Sequence, residues 1–383
     1  MANKIYLREE IAGQTEICLL DEKNQQLYYR GIELKHLIDR GLTFDEVAHF
    51  LIFGKTPKKD PLHRRTYYAP ISSFKPVFNI IARTLHPQFH PRANAHPMDI
   101  LSGMVRVLGN ESNRGASSRK SSEAIDRASA IDFIFDVGYL TGILKRWYEW
   151  KRPLRMPKVF GSTSKNILYQ MFGIEPDEFE ERLMDIALIL YAEHEFNAST
   201  FVVRVAASAH TDIFSAVVAG ISTLRGSRHG GANEDAMNLM LDIGDPDKTK
   251  AYLDRFLETP GAKVPGFGHA VYTISDPRVA ILKPYVKELS ERKHDMRWYE
   301  MGLALEEYMA KRAAEKGRSI PANVDLWTAP LYHLMGIPIR MYTPLFAASR
   351  VAGWCAHYLE VIHVTKDAIL RPRAEYIGPD PQP

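Results

Sequence analysis

Two histidines next to glycines are the side chains best suited to chemistry. His229 lies in RHGGANE (228–234), directly before two glycines, and His269 lies in VPGFGHAVYTISDPR (264–278), directly after one. Glycine lowers helix stability by about 1 kcal/mol relative to alanine, so both stretches predict breaks in helical sequence at which an imidazole can be aimed. The alternative for His229 is a position near a helix C-terminus, where its charge would suit the helix dipole.

An aspartate between apolar residues is the candidate for acid–base chemistry. Asp325 lies between Val324 and Leu326 in PANVDLWTAPLYHLMG (321–336). An aspartate in this setting is most often a helix N-cap, whose carboxylate accepts hydrogen bonds from backbone N–H groups. The second interpretation is a general base that removes a proton from a bound substrate.

The sequence YAEHEFNAST (191–200) places two further polar side chains in apolar surroundings. His194 and Asn197 are three residues apart, so on a helix they would share one face, either as a buried hydrogen-bonded pair or as ligand contacts. Residue 198 is alanine, so the stretch lacks the second histidine of the zinc motif HExxH. The sequence therefore predicts no metal here.

Arginines in or beside apolar sequence predict a site for an anion. Arg350 lies in FAASRVAGWCAHYLE (346–360), and Arg371 and Arg373 lie in ILRPRAEYIGP (369–379). A buried charge is costly without a partner, so such guanidinium groups favour carboxylates or phosphates, which they bind through two parallel hydrogen bonds. The net charge of +3 is too small to indicate nucleic acid, but it suits a small anionic ligand.

The composition is that of an ordinary globular protein, with 45% hydrophobic and 25% charged residues in a chain of 383. Cys18 and Cys355 make no disulfide framework, which favours a reducing compartment, so we expect a cytoplasmic protein. The N-terminus has no signal-peptide pattern, and the apolar stretches are shorter than the roughly 20 residues that cross a membrane. The sequence contains neither a GxGxxG pattern nor a phosphate-binding loop.

Helical patterns dominate the chain and must position these side chains. In TFDEVAHFLIFGKTP (43–57), Thr43 and Glu46 form the sequence pattern of a capping box, and Gly54 predicts the end of the helix. The polar, serine-rich stretch 109–129 predicts an exposed loop with helical ends.

Two further helical patterns and one hairpin complete the sequence prediction. HPMDILSGMVRVLGN (96–110) predicts a helix with Pro97 in its first turn and an exit at Gly109. The stretch 176–209 is a long apolar helical pattern, whose small residues predict close helix packing. Strand-like alternation is confined to 15–31, which predicts a small hairpin. The sequence therefore predicts an all-α fold.

The stretches that carry these residues resemble the citrate synthase family. They run in the family's order from residue 12 to residue 379, and they are highly specific in combination. AEHEFNAST together with VYTISDPR is more similar to the 2-methylcitrate synthases than to ordinary bacterial citrate synthases. The matching stretches are AGQTEI, LYYRGIEL, FDEVAHFLIFGKTP, HPMD, AEHEFNAST, LRGSRHGGANE, GFGHAVYTISDPR, NVD, YTPLFAASRVAGWCAHYLE and LRPRAEYIGP.

The resemblance implies a two-domain helical fold with a small N-terminal hairpin. The large domain would comprise residues 1–228 and 331–383, and the small domain residues 229–330. The cleft between the two domains would close on the substrate. The resemblance also implies a homodimer, in which Arg371 completes the active site of the neighbouring subunit.

The resemblance further implies an acyltransferase that condenses acetyl-CoA or propionyl-CoA with oxaloacetate and water, giving citrate or 2-methylcitrate and CoA. Asp325 would remove the α-proton of the acyl group. His229 would donate a hydrogen bond to the thioester oxygen, and His269 would polarise and protonate the ketone of oxaloacetate. The acyl-CoA is a substrate, so no cofactor and no metal are expected.

The same resemblance assigns the binding of the substrates. Arg278, Arg350 and Arg371 would neutralise the carboxylates of oxaloacetate, with His194 as a further donor.

The phosphates of CoA are not assigned by the resemblance. Thr273 stands where a basic residue is expected, so Lys263, Lys283 and the cations of 145–158 remain candidates.

Two alternatives use the same scaffold. One is cleavage in the reverse direction, similar to a citryl-CoA lyase. The other is a helical binding protein without catalysis, which predicts loss of His229, His269 or Asp325. All three residues are present.

Overall fold

Helices account for most of the described chain, and the predicted all-α fold is confirmed. A computed structural model describes residues 11–57, 95–111, 122–149, 160–227, 229–365, 369–374 and 376–379. The strands in these residues are β1 (Cys18–Asp21), β2 (Gln26–Tyr29) and β3 (Ile32–Glu33). The helices, numbered over the same residues, are α1 (Leu34–Asp39), α2 (Phe44–Phe53), α3 (Pro97–Glu111), α4 (Glu123–Glu149), α5 (Thr163–Phe172), α6 (Glu178–Tyr191), α7 (Ala198–Ser208), α8 (Ile213–Leu224), α9 (Ala232–Ile243), α10 (Thr249–Phe256), α11 (Pro277–Arg292), α12 (Arg297–Ala314), α13 (Val324–Leu334) and α14 (Tyr342–Leu359).

The N-terminal sheet is the predicted hairpin with one added strand. β1 and β2 pair antiparallel with Asp21 opposite Gln26, and β3 pairs with the other edge of β2. Tyr29 is buried, and its hydroxyl donates to the carbonyl of Ile189 (2.9 Å). This bond fastens the sheet to the end of α6.

Helix α2 begins and ends where the sequence predicts. The Thr43 hydroxyl accepts from the Glu46 N–H (3.3 Å), and the Glu46 carboxylate accepts from the Thr43 N–H (2.9 Å), which completes the capping box. Gly54 follows the helix with a φ of 73°, in the left-handed region that favours glycine.

Helix α3 begins at the predicted Pro97 but continues past the predicted exit at Gly109. A Cβ on Gly109 would lie 2.7 Å from the Cγ of Phe214, so glycine at this position permits close packing of α3 against α8. The predicted loop 109–129 lies partly outside the described residues, and its described ends are helical.

The apolar stretch 176–209 forms two helices, α6 and α7, with a break between them. Asn197 is the N-cap of α7, and its Oδ1 accepts from the N–H of Thr200 (3.2 Å). His194 lies in the break. The prediction that His194 and Asn197 share a helix face is therefore wrong.

Tertiary contacts explain this break, which no glycine or proline signals. The N–H of Glu193 donates to the hydroxyl of Tyr29 (3.1 Å), and the N–H of Gly353 on α14 donates to the carbonyl of Ala192 (3.1 Å). The sheet and α14 thus satisfy backbone groups that a continuous helix would have satisfied itself.

Two helices, α13 and α14, each pack against several other helices. α14 is buried along its whole length and contacts α2, α4, α6, α7 and α8. α13 contacts α9, α11 and α12. In the described part of the chain, no helix is both long enough and apolar enough to cross a membrane.

We expect Gly353→Ala to destabilise the protein at the contact between α14 and the break. The added Cβ would collide with Glu193 and lie 2.5 Å from the carbonyl oxygen of Ala192. Overpacking of this kind costs about 1–3 kcal/mol, measurable as a loss in the free energy of unfolding in urea.

Gly103→Ala is the matched control, because Gly103 is exposed on α3 and its Cβ would meet open space. This substitution is expected to raise the free energy of unfolding by about 0.5–1 kcal/mol. Equal effects of the two substitutions would contradict the packing described here.

Candidate active site

His269 lies on a loop that is hydrogen-bonded to the segment before α13. The N–H of Gly268 donates to the carbonyl of Pro321 (2.8 Å), and the N–H of Asn323 donates to the carbonyl of Gly266 (2.9 Å). Gly266 and Gly268 have φ angles of 81° and 77°. The loop therefore needs the glycines that precede His269 in the sequence.

The ring proton of His269 is fixed by two backbone groups. Its Nδ1 accepts from the N–H groups of Val271 (3.0 Å) and Tyr272 (3.2 Å). Because a backbone N–H can only donate, Nδ1 carries no proton, and Nε2 is the donor of the neutral ring. The ring stacks on Tyr272, with centroids 4.7 Å apart.

His194 faces His269 from the break between α6 and α7. The two ring centroids are 4.9 Å apart. His194 is buried, and its Nε2 makes no hydrogen bond with the described residues. Burial, followed by the positive charge of Arg278, holds the pKa of His194 well below its usual value. A neutral, unsatisfied buried imidazole nitrogen predicts a hydrogen bond to a ligand.

His229 lies in the turn before α9 and faces the N-terminus of α7. Its Nε2 accepts from the Ser199 N–H (3.3 Å) and lies 2.8 Å from the Ser199 hydroxyl. The Ser199 N–H therefore places the ring proton on Nδ1. Burial, followed by the positive charge of Arg350, lowers the pKa of His229 to about 4. The helix before it ends at Leu224, so the interpretation as a helix-terminal residue is wrong.

The two glycines after His229 differ in whether a larger residue would fit at their positions. A Cβ on Gly230 would collide with the carbonyl oxygen of Leu224, to which the Gly230 N–H donates (3.0 Å). Gly231 has a φ of −87°, and a Cβ there would meet open space. The turn that carries His229 therefore requires Gly230 but not Gly231.

Asp325 lies in the first turn of α13 and is not the N-cap. Asn323 is the N-cap, and its Oδ1 accepts from the Asp325 N–H (3.0 Å). The Asp325 carboxylate accepts instead from the hydroxyl of Tyr191 (2.5 Å). Burial raises the pKa of Asp325, and the Tyr191 hydrogen bond and the charge of Arg278 lower it in part. A positioned carboxylate with a raised pKa is suited to general-base chemistry.

Arg278 is held rigidly by a neighbouring carboxylate. Its Nε and Nη2 donate to the two oxygens of Asp276 (2.9 and 2.7 Å). Asp276 is also the N-cap of α11. Arg278 is buried, and the charge of Asp276 raises its pKa despite burial. Nη1 makes no hydrogen bond with a described residue and remains available to a ligand.

Arg350 is a buried cation without a carboxylate partner. It is 2% exposed, its Nε donates to the carbonyl of Tyr191 (2.6 Å), and its guanidinium lies over the ring of Phe346 (4.9 Å). No carboxylate of a described residue is within 4.0 Å of it. Burial lowers the pKa of Arg350 and the charge of Glu193 raises it, but arginine stays charged in proteins. A buried, unpaired guanidinium predicts an anionic ligand.

Phe346 lies between Tyr191, which binds Asp325, and His229. Its ring centroid is 4.4 Å from that of Tyr191 and 6.2 Å from that of His229. The structure therefore brings together all the predicted site residues except Arg371. Arg371 lies in the exposed segment 369–374 and makes no hydrogen bond or ion pair with a described residue.

The cations considered for CoA phosphates lie in different settings. Lys263 is exposed, whereas Lys283 pairs with Glu306 (2.5 Å) and lies over the ring of Trp327 (4.9 Å). Of the stretch 145–158, residues 150–158 lie outside the described residues.

Sequence reasoning missed Tyr191, Ser199 and Phe346, which hold or enclose the predicted residues. Tyr191 and Ser199 both stand in the stretch 191–200, but their partners Asp325 and His229 are distant in the chain. The available signal was a tyrosine directly after the aliphatic stretch 186–190, which on its own indicates a core residue.

The arrangement combines three neutral imidazoles, one carboxylate and two guanidinium groups. Such a site can bind a small dianion, remove a proton from carbon, and stabilise oxyanions on two different molecules. Among the described residues, no group of histidine, cysteine, aspartate or glutamate side chains is arranged to hold a metal ion.

Comparison with known proteins identifies the family. The family model described as "Citrate synthase, C-terminal domain" matches residues 6–373. The chain belongs to the citrate synthase family. It is 35% identical to the 2-methylcitrate synthase of Shewanella oneidensis over 98% of this chain and 95% of the relative. It is 34% identical to the citrate/2-methylcitrate synthase of Bacillus subtilis over 96% of this chain and 95% of the relative.

Solved citrate synthases have the same fold. The enzyme of Thermoplasma acidophilum, solved as a ternary complex with carboxymethyl coenzyme A and oxaloacetate, is similar with a TM-score of 0.86 and 29% identity. The match covers 98% of this chain and 96% of that one. The Pyrobaculum aerophilum enzyme gives a TM-score of 0.84 and 31% identity, over 98% of this chain and 93% of that one.

We expect His229 to be neutral at pH 6, with its proton on Nδ1, and His269 to carry its proton on Nε2. Nitrogen NMR of ¹⁵N-histidine-labelled protein distinguishes these forms, with His229→Gln and His269→Gln used for assignment. Because the unfolded chain binds the His229 proton near pH 6.5, this residue reduces folding stability as the pH falls from about 6.5 towards 4. A cationic His229 ring at pH 6 would contradict the described hydrogen bonds.

Proposed function

We propose that this protein condenses a short acyl-CoA with oxaloacetate and water, giving a citrate-type product and free CoA. The observation that carries the proposal is the convergence of Asp325, His229 and His269 beside the unpaired guanidinium of Arg350. The names of the relatives and the ligands of the Thermoplasma acidophilum enzyme are consistent with these substrates.

Oxaloacetate fits the half of the site that contains the two arginines. Arg350 and Nη1 of Arg278 would bind its carboxylates, and each charge-assisted hydrogen bond is worth about 1.5–3 kcal/mol. The unsatisfied Nε2 of His194 would bind a further oxygen. His269 would donate from Nε2 to the ketone oxygen and so make the ketone carbon electrophilic.

Asp325 and His229 would act together on the acyl-CoA. The gap in pKa between a thioester α-proton and an aspartic acid is on the order of 15 units, or ~20 kcal/mol. A single oxyanion donor supplies about 3–4 kcal/mol, so a carboxylate alone cannot form the enolate. The raised pKa of Asp325 and the Nδ1–H of His229 would narrow the gap in a site from which water is excluded.

The new carbon–carbon bond would form between the acyl α-carbon and the ketone carbon. The α-proton passes to Asp325, and the ketone oxygen takes a proton from Nε2 of His269. Water then cleaves the thioester, giving a carboxylate and the free thiol of CoA.

Two domains and a dimer are part of the proposal. Residues 1–228 and 331–383 would form one domain and residues 229–330 the other, closing around the substrates. The contacts of α13 with α9, α11 and α12 support the second domain, although its boundary at 330 falls within α13. Exposed apolar side chains beside Arg371, such as Tyr376 and Ile377, support a partner subunit that covers this segment.

The acyl group would lie beside Tyr191 and Phe346, whose rings flank Asp325 and His229. One CH₂ in an apolar pocket changes kcat/KM by about 10–200-fold. Steady-state kinetics with acetyl-CoA and propionyl-CoA therefore decide between citrate and 2-methylcitrate as the principal product.

The proposal is tested by release of thiol from acetyl-CoA or propionyl-CoA in the presence of oxaloacetate. We expect Asp325→Asn to lower kcat by at least about 10²–10⁴-fold, the usual contribution of a general base, while oxaloacetate binding in calorimetry survives. Wild-type kcat in this variant would remove Asp325 from the mechanism.

Asp39→Asn is the matched control, because Asp39 is an exposed carboxylate paired with Lys35 on α1. It is expected to retain wild-type activity. Absence of thiol release from either acyl-CoA by the wild type would overturn the proposed reaction. Formation of oxaloacetate from citrate and CoA without ATP would instead favour the cleavage direction.

A further inference from the structure

Gln25 has an unusual backbone conformation for a buried side chain. It ends the turn between β1 and β2, it is 7% exposed, and its φ is 54°. The left-handed region disfavours residues other than glycine, asparagine and aspartate. A glutamine at this position indicates that its side chain makes contacts that a glycine could not make.

The side chain of Gln25 reaches a segment that is about 250 residues away in the sequence. Its Oε1 accepts from three successive backbone N–H groups, those of Thr273 (3.0 Å), Ile274 (3.0 Å) and Ser275 (3.4 Å). Its Nε2 donates to the carbonyl of Glu22 in the same turn, which orients the amide. One neutral oxygen therefore occupies a concave group of N–H donors of the kind that binds anions.

The bonds to Gln25 are the hydrogen bonds that the structure gives for the N–H groups of segment 273–275. All three residues are exposed, and their N–H groups make no other hydrogen bond with a described residue. The segment links the loop that carries His269 to the start of α11, which carries Arg278, so the bonds to Gln25 tie this link to the N-terminal hairpin.

The hairpin that carries Gln25 is also hydrogen-bonded to the backbone next to His194, which faces His269 across the site. The hydroxyl of Tyr29 donates to the carbonyl groups of Ile189 (2.9 Å) and Glu193 (3.0 Å), directly before His194. The hairpin thus connects the backbone beside His194 with the segment that follows His269.

We propose that Gln25 is a positioning residue for the dianion-binding half of the site. Its amide oxygen holds the segment 273–275 against the hairpin and so keeps His269 and Arg278 in place opposite His194 and Arg350. The inference rests on the proposed function, in which this half binds oxaloacetate. Gln25 would thus set the distance between the residues that bind the dianion from its two sides, although the Gln25 side chain does not contact the dianion.

The test uses Gln25→Gly, which removes the side chain and also relieves the unfavourable φ. If Gln25 serves only the turn, this variant keeps wild-type kinetics. We expect instead that KM for oxaloacetate rises about tenfold, the size of one net hydrogen bond, while kcat stays within about twofold because saturating substrate restores the arrangement.

Two further variants separate the hydrogen bond from the turn. Gln25→Glu keeps an acceptor oxygen and is expected to restore KM to within about threefold of wild type. Asn24→Ala removes the hydrogen bond that the Asn24 side-chain amide donates to Asp21 (2.7 Å) in the same turn and is expected to leave KM unchanged.

Hydrogen exchange provides a readout without substrate. In Gln25→Gly, peptides that contain residues 273–275 are expected to exchange at least about tenfold faster than in wild type and in Asn24→Ala. Wild-type exchange and wild-type KM in Gln25→Gly would overturn the inference. Failure of the proposed reaction would appear separately, as wild-type protein that releases no thiol while the difference in exchange persists.

Discussion

The unpaired guanidinium of Arg350 is the constraint on which the rest of the site depends. A buried charge without a counter-ion is costly, and α14 places this one 2% exposed, over Phe346 and against the carbonyl of Tyr191. A carboxylate of the proposed ligand would offset this cost. Burial lowers the pKa of His229 and of His194, and the positive charge of Arg350 lowers both pKa values further.

Backbone N–H groups fix the proton positions on the two histidines proposed to be catalytic. The Ser199 N–H at the start of α7 leaves the proton of His229 on Nδ1, and the N–H groups of Val271 and Tyr272 leave that of His269 on Nε2. A neutral imidazole of fixed tautomer is a good hydrogen-bond donor to a developing oxyanion. The two histidines thus lie between helices, whereas Asp325, Arg278 and Arg350 lie on helices.

The sequence predicted features that depend on local patterns and missed those that depend on distant partners. The capping box of Thr43 and Glu46 is confirmed, because caps are made within one turn. The break after Tyr191 was missed, because Tyr29 and Gly353 stabilise it from elsewhere in the chain. Glycine-framed histidines and charges in apolar sequence marked candidate residues, and the family resemblance assigned their roles, whereas Tyr191 and Gln25 gave no local signal for their contacts with Asp325 and with segment 273–275.

The most direct test is calorimetric titration of oxaloacetate into Arg350→Leu. Loss of one partner from a buried charge pair costs about 2–5 kcal/mol, so affinity for oxaloacetate should fall by at least about 30-fold, with a much smaller change in affinity for the acyl-CoA. The ligand-free variant should be at least as stable as wild type, because an unpaired buried cation has been removed. Unchanged affinity for oxaloacetate, or equal loss for both substrates, would contradict the account.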